Sequence, residues 1–225
     1  MVKPSAIVVA LALGITGGLL PLSIPASAQE FSADIVSSNA DAAAPPRLGR
    51  LYAKNAKARI ETSELPDGFF LVDGADHVAY FVRPGQRVFM DAKQTTRLTW
   101  ILVRVDPGDP CLQWDAMAIA AGATDGGSRW RCERSGEDTV DGRAATVYQA
   151  TSPEHRGNSA WIDPQLNFAL RFRSDDGAIG IELKNVRKAP QAASLFEIPR
   201  NYAKFDPQRL IDRIKQSDVW VEPPQ

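Results

Sequence analysis

Side chains that usually hold metals or supply a nucleophile and its base are scarce here: two cysteines and two histidines in 225 residues. His77 and His155 share no metal-ligand spacing with each other or with Cys111 and Cys132. No H-E-x-x-H, zinc-type Cys/His set or phosphate-binding glycine loop occurs. Gly157-Asn158-Ser159-Ala160-Trp161 lacks the final glycine of a G-x-S-x-G nucleophile elbow. Glu133, Glu137, Asp138 and Asp141 cluster in what reads as a solvated turn, and calcium needs more converging oxygens than this spacing guarantees. No long basic block is present and the formal net charge is −1, which excludes an electrostatic footprint for nucleic acid. The expectation is a non-enzymatic protein with no catalytic residues, no metal and no cofactor; an enzyme would need its residues assembled from distant strands.

Long apolar runs are missing too, except at the N-terminus. Lys3 precedes an apolar stretch from Ala6 to Ile24, and Ala26-Ser27-Ala28 supplies the small residues of a cleavage site. This reads as a secretory signal peptide over 1–28, cut after Ala28. Pro21, Pro25 and the shortness of the run argue against a retained anchor, and no cysteine follows it to take a lipid. Residues 29–225 then form a single exported domain that does not span the membrane. In an oxidising compartment Cys111 and Cys132 are expected to pair. Without C-x-x-C spacing the bridge reads as structural, contributing about 3 kcal/mol by restricting the unfolded chain.

What remains is an ordinary globular composition, 44% hydrophobic and 24% charged, patterned for strands. Phe168, Leu170 and Phe172 alternate with Arg171 and Arg173; after Ser174-Asp175-Asp176-Gly177, Ile179, Ile181 and Leu183 alternate with Glu182 and Lys184. Period-two alternation gives each strand one oily and one wet face, and Asp-Gly between two such runs marks a hairpin. Phe31–Val36, Leu48–Lys54, Ala58–Thr62, Phe69–Val72 and Arg87–Asp91 read as further strands, and Val78–Val82, apolar on both faces, as a central or twice-covered one; Gly and Pro turns separate them. Thr95–Val105 is ambiguous, and Leu112–Ala121 reads as a helix that the Cys111–Cys132 bridge would staple to a strand around Ser128–Arg134. Ala145–Ala150 and Ser159–Ile162 are further strands. A last helix starts at Asp206-Pro207, with Leu210, Ile211 and Ile214 as its apolar stripe. Trp100, Trp114, Trp130 and Trp161 are most simply core fillers, or else line an open apolar cavity.

Three patches resemble the LolA-like superfamily of periplasmic proteins, which includes LolA, LolB and the sensor domain of RseB-type regulators. Gly49-Arg50-Leu51-Tyr52-Ala53-Lys54 is similar to the family's early G-x-L-[WY]-x-K strand. Leu71-Val72-Asp73-Gly74 with Tyr80-Phe81-Val82-Arg83-Pro84 resembles its V-x-D-G…Y-x-P hairpin. Trp161-Ile162-Asp163-Pro164 and Phe196-Glu197-Ile198-Pro199-Arg200-Asn201-Tyr202 resemble its closing half. The chain departs from the carriers at Asn55, where they place an arginine, in lacking their helix before the first strand, and in the segment around Cys111.

The resemblance implies a mainly β (α+β) fold: a strongly curved antiparallel half-barrel sheet of about eleven strands with a few helices over its concave apolar face. It also implies a periplasmic location and an apolar ligand, lipid or a lipoprotein acyl chain, held by burial of methylene groups at about 0.8 kcal/mol each. Ile60, Tyr80, Phe168, Phe172, Ile179 and Ile181 are the candidate ligand-lining residues. The alternative is a sensor or interaction module that uses the same scaffold to contact an envelope protein.

Overall fold

The computed structural model describes residues 30–38, 46–76, 78–92, 98–102, 104–106, 108–110, 131–151, 157–174 and 180–216. The expected signal peptide and its cleavage site, the helix over Leu112–Ala121, both histidines, Cys111, Trp114, Trp130 and Ile179 lie outside these residues.

The first half is a meander: β1 (Glu30–Ser37), β2 (Arg47–Lys54), β3 (Lys57–Thr62), β4 (Phe69–Asp73), β5 (Val78–Arg83) and β6 (Val88–Asp91). One helical turn, α1 (Leu98–Ile101), follows. The second half runs β7 (Arg131–Val140), β8 (Arg143–Thr151), β9 (Asn158–Asp163), β10 (Phe168–Arg173) and β11 (Gly180–Lys188), then β12 (Ala203–Lys204) and α2 (Pro207–Gln216). All twelve strands share one sheet, ordered β12-β6-β5-β4-β3-β2-β1-β11-β10-β9-β8-β7. The two halves meet where β1 pairs with β11, Ile35 opposite Leu183. Every pairing is antiparallel except β12 with β6.

The sheet is curved and does not close. Asp141, in the β7–β8 turn, accepts the Asn185 N–H of β11 at 2.8 Å, past β9 and β10. At about 4.8 Å per strand spacing a flat sheet would hold these groups too far apart for a side chain to span. The β7 edge carries exposed Arg131, Glu133, Arg134, Glu137 and Asp138, charges that discourage pairing with another chain. These acidic residues were expected at a solvated turn; they lie instead along an edge strand, with only Asp141 in the turn. The strand expected around Ser128–Arg134 covers only the start of β7; from Ser135 to Thr139 no apolar residue recurs, so that part of its sequence looks like loop.

Two glycines are dictated by close approach. A Cβ on Gly49 would stand 1.9 Å from the Glu61 carbonyl oxygen of β3, and one on Gly68 2.5 Å from the Phe81 ring. The final helix starts as expected: Asp206 Oδ1 accepts the Gln208 N–H at 2.9 Å, with Pro207 at the first helical position. Its Ile211 is 44% exposed, so that position does not face a core. The expected helical cover reduces, among the described residues, to α1 and the chain after it. Thr99, Ile101, Leu102 and Val105 are all buried, and Val105 N–H is held by the Asn167 carbonyl at 2.8 Å.

Candidate functional site

The apolar face is continuous across the sheet. Ala79 and Phe81 of β5, Phe70 and Val72 of β4, Ala58 and Ile60 of β3, and Leu51 and Ala53 of β2 contribute one half. Phe31, Ala33 and Ile35 of β1 join them to Ile181 and Leu183 of β11 and to Phe168, Leu170 and Phe172 of β10. Beyond these lie Ala160 and Ile162 of β9 and Ala145 and Ala150 of β8. The alternation of each strand explains the arrangement: in β10 the three apolar residues face the core while Arg171 faces the other way. Leu102, Leu166 and Val105 cover part of this face.

Of the candidate lining residues, Ile60, Phe168, Phe172 and Ile181 share this cluster. Each is no more than 5% exposed, and Phe168 meets Phe31 edge-on with ring centroids 5.1 Å apart. In this conformation they pack as core rather than as the walls of an open space. Ile179 lies outside the described residues.

Tyr80 is a correction: it sits on the opposite face of β5, in a second cluster with Phe69, Leu71 and Val82. Phe89, Ile198 and Tyr202 pack there too, and Tyr80 and Phe89 meet edge-on at 5.6 Å. The C-terminal segment covers this patch, which is why β4 and β5 are apolar on both faces. Trp161 packs against the main core without being buried in it. It is half-buried at the margin of the core, its indole N–H donates to Asp138 at 2.8 Å, and the Arg171 guanidinium lies 5.1 Å from its ring.

The opposite face of β1, β2, β9, β10 and β11 is a charged network that sequence reading missed. Arg171 Nε donates to Glu182 Oε2 at 2.7 Å, and Lys184 Nζ lies 2.7 Å from Glu182 Oε1. Burial pushes the Glu182 carboxyl up, yet the hydrogen bonds from Lys184 and Arg171 outweigh it and hold the group below the usual carboxylate range. Asp138 is held low by the Thr139 backbone N–H first and the Trp161 indole second. Arg143 Nε donates to the buried Asp163 at 2.6 Å, whose other oxygen takes the Gln165 and Leu166 N–H groups at 2.7 and 3.1 Å. That turn holds Leu166 against the core. The signal that could have found the network is the placement of opposite charges on cross-strand partners, Arg171 opposite Glu182 and Asp34 opposite Arg50.

A polar cleft opens on the same face, about 220 Å³ in volume, lined by Ser32, Ala33, Asp34, Arg47, Arg50, Asn185 and Arg187. Among the described residues no group of His, Cys, Asp and Glu could hold a metal ion. No helix among them is long and apolar enough to cross a membrane. Cys132 is half-buried on β7 opposite Ala150 and is not a free thiol.

No family model matches the chain, and no curated protein does. Solved structures similar to it include an uncharacterized conserved protein from Thermus thermophilus, 12% identical with a TM-score of 0.46, covering 80% of this chain and 91% of that one. The Pseudomonas aeruginosa MucA/MucB complex is 15% identical with a TM-score of 0.37, and the match covers 77% of this chain but only 56% of that one. A LolA superfamily protein from Nitrosomonas europaea is 11% identical with a TM-score of 0.32, covering 77% and 91%. These are similarities of fold, a LolA superfamily member among them, and none assigns a role to a residue.

Proposed function

We propose that this chain is an exported, non-catalytic binding module of the cell envelope whose ligand is apolar, a lipid or a lipidated polypeptide. The observation that carries the reading is one uninterrupted apolar face on a sheet that remains open at both edges. Hydrocarbon laid against Ile60, Phe168, Phe172 and Ile181 would be held by burial alone, at about 0.8 kcal/mol per methylene. Since these residues are already buried, the ligand would enter by displacing what covers them. A Cys111–Cys132 bridge and a periplasmic location belong to the same reading. Native mass spectrometry of protein purified from the envelope under mild conditions should find a co-purified lipid. Lipid-free protein in repeated preparations that also fails to bind a fluorescent fatty acid would overturn it.

A second reading is favoured by the tight burial of those same side chains. A sheet whose apolar face is filled by its own chain can serve as a rigid platform for contacting an envelope protein. Crosslinking to a partner by lipid-free protein would decide for it.

A further inference from the structure

The polar cleft owes its shape to two irregularities of the strands beside it. Between the pairs Ser32–Arg187 and Asp34–Lys184, one β1 residue, Ala33, faces two β11 residues, Asn185 and Val186. Asn185 adopts a left-handed backbone with φ +53°, as a bulge residue does. On the other flank Ile35 pairs with Gly49 and Val36 with Arg47, so Leu48 is the extra residue of β2. These two bulges bring the side chains of Asp34, Arg47, Arg50, Asn185 and Arg187 around one depression.

The charges there do not balance. Asp34 is engaged by Arg47 at 2.8 Å and by the Asn185 side-chain amide at 2.9 Å. Arg47 Nε also donates to the Gly49 carbonyl at 3.3 Å. Arg50 and Arg187 have no ion pair among the described residues, and Arg50 Nε is buried without a hydrogen-bond partner. A buried guanidinium N–H left unmade is costly, and its natural partner is an anionic oxygen. Three guanidiniums against one carboxylate leave the cleft with two positive charges. The Tyr52 ring, 5.3 Å from the Arg50 guanidinium, helps fix that side chain's plane.

We propose that this cleft binds a phosphomonoester-type oxyanion, gripped by the guanidiniums of Arg50 and Arg187, with the Arg47–Asp34 pair as its already neutralised wall. The dianion matches the excess charge, and the planar forks match its oxygens pairwise, as an ammonium would not. The volume admits a phosphate with a small substituent. Ser32 and Asn185 add neutral polar groups to the lining. The site lies across the sheet from the apolar face, so it stands or falls independently of the apolar ligand.

Titration of the full mature chain with inorganic phosphate, at ionic strength held constant with chloride, tests this by amide NMR. Saturable shifts confined to residues near Ser32, Asp34, Arg50, Asn185 and Arg187 are expected. In Arg50→Gln/Arg187→Gln the affinity should fall by about tenfold or more. Arg187→Gln alone changes an exposed side chain and should weaken binding if the buried replacement fails to fold. Arg200→Gln, exposed and outside the cleft, should leave binding unchanged. Glycerol phosphate and vesicles carrying phosphatidic acid or only phosphatidylcholine identify the source. Arginine-dependent binding to phosphatidic acid vesicles assigns the phosphate to a lipid headgroup, and binding of the soluble phosphates alone assigns it to a free metabolite. Shifts that do not saturate, that scatter over the surface lysines and arginines, or that persist in the double variant would overturn the proposal.

Discussion

Phe168 separates a packed core from the wall of an open cavity. It is 3% exposed, belongs to the apolar face, and stands edge-on to Phe31 with rings at 84°. In a wall facing empty or ligand-filled space, truncation to alanine removes little from the ligand-free protein. In a core it removes the transfer free energy of the ring and leaves a cavity, together about 3–5 kcal/mol. The edge-on contact adds a coupling of about 0.5–1.5 kcal/mol, which a cycle of Phe31→Leu, Phe168→Leu and the double variant would isolate. For a domain whose whole stability is about 5–15 kcal/mol, Phe168→Ala is therefore severe. In urea, with a slope of roughly 2 kcal/mol/M, the midpoint of lipid-free protein should fall by about 2 M at unchanged slope. A loss below about 1 kcal/mol, with the circular dichroism spectrum intact, would refute the packing argument. It would return Phe168 to the lining of an open space.

Other perturbations probe the frame around this face. Gly49→Ala forces a Cβ into the Glu61 carbonyl, and the resulting strand shift should cost about 1–3 kcal/mol, read as a lowered Tm. Asp163→Ala strips the buried partner from Arg143 and the acceptor from two turn amides; a loss of about 3–5 kcal/mol is expected in denaturant titration. The Glu30 carboxyl is held below its usual range first by the Gln191 backbone N–H and then by Lys54. A carboxylate with a lowered folded pKa stabilises above its unfolded value of 4.5 and loses that contribution as pH falls through the folded one. Hydrogen exchange at Gln191 should therefore quicken in acid below about pH 4.5 relative to Leu195, whose amide is held by the Ala192 carbonyl. Glu30→Gln should remove this pH dependence.

Much of the sheet was legible because strand-making here is local. From Phe31 to Asp91 the turn residues and the period-two alternation mark six strands, and each appears within a residue or two of where the alternation puts it. Alternation also assigns residues correctly within one strand: Phe168, Leu170 and Phe172 do share a face. Illegible were the segments whose surroundings are unusual. The second half of β7, Ser135 to Thr139, is an exposed edge without apolar residues, and α1 is a single turn in which Thr99 is buried. The charged network escaped notice because its members lie far apart in sequence, Asn185 meeting Asp34 across most of the chain.

Parity between strands is a different matter from parity within one, and Tyr80 shows why. In Val78–Arg83 both parities are apolar, so nothing local says whether Ala79 and Phe81 or Tyr80 and Val82 face the main core. The answer is set by the ladder, which puts Ala79 opposite Val72 and Tyr80 opposite Leu71, and by what lies outside it. The large side chains Phe69, Leu71, Tyr80 and Val82 need cover of their own, and Ile198 and Tyr202 provide it. The segment that brings them, Phe196–Tyr202, then continues as β12 along β6, where Ala203 N–H is held by the Arg87 carbonyl at 2.9 Å. One strap thus covers the second apolar patch and ends the sheet. The three aromatic and aliphatic positions of Phe196-Glu197-Ile198-Pro199-Arg200-Asn201-Tyr202 follow from that pair of tasks: Phe196 is buried, while Ile198 and Tyr202 pack on the outer cluster. Tyr80 is on the outer face because the C-terminus has to dock there.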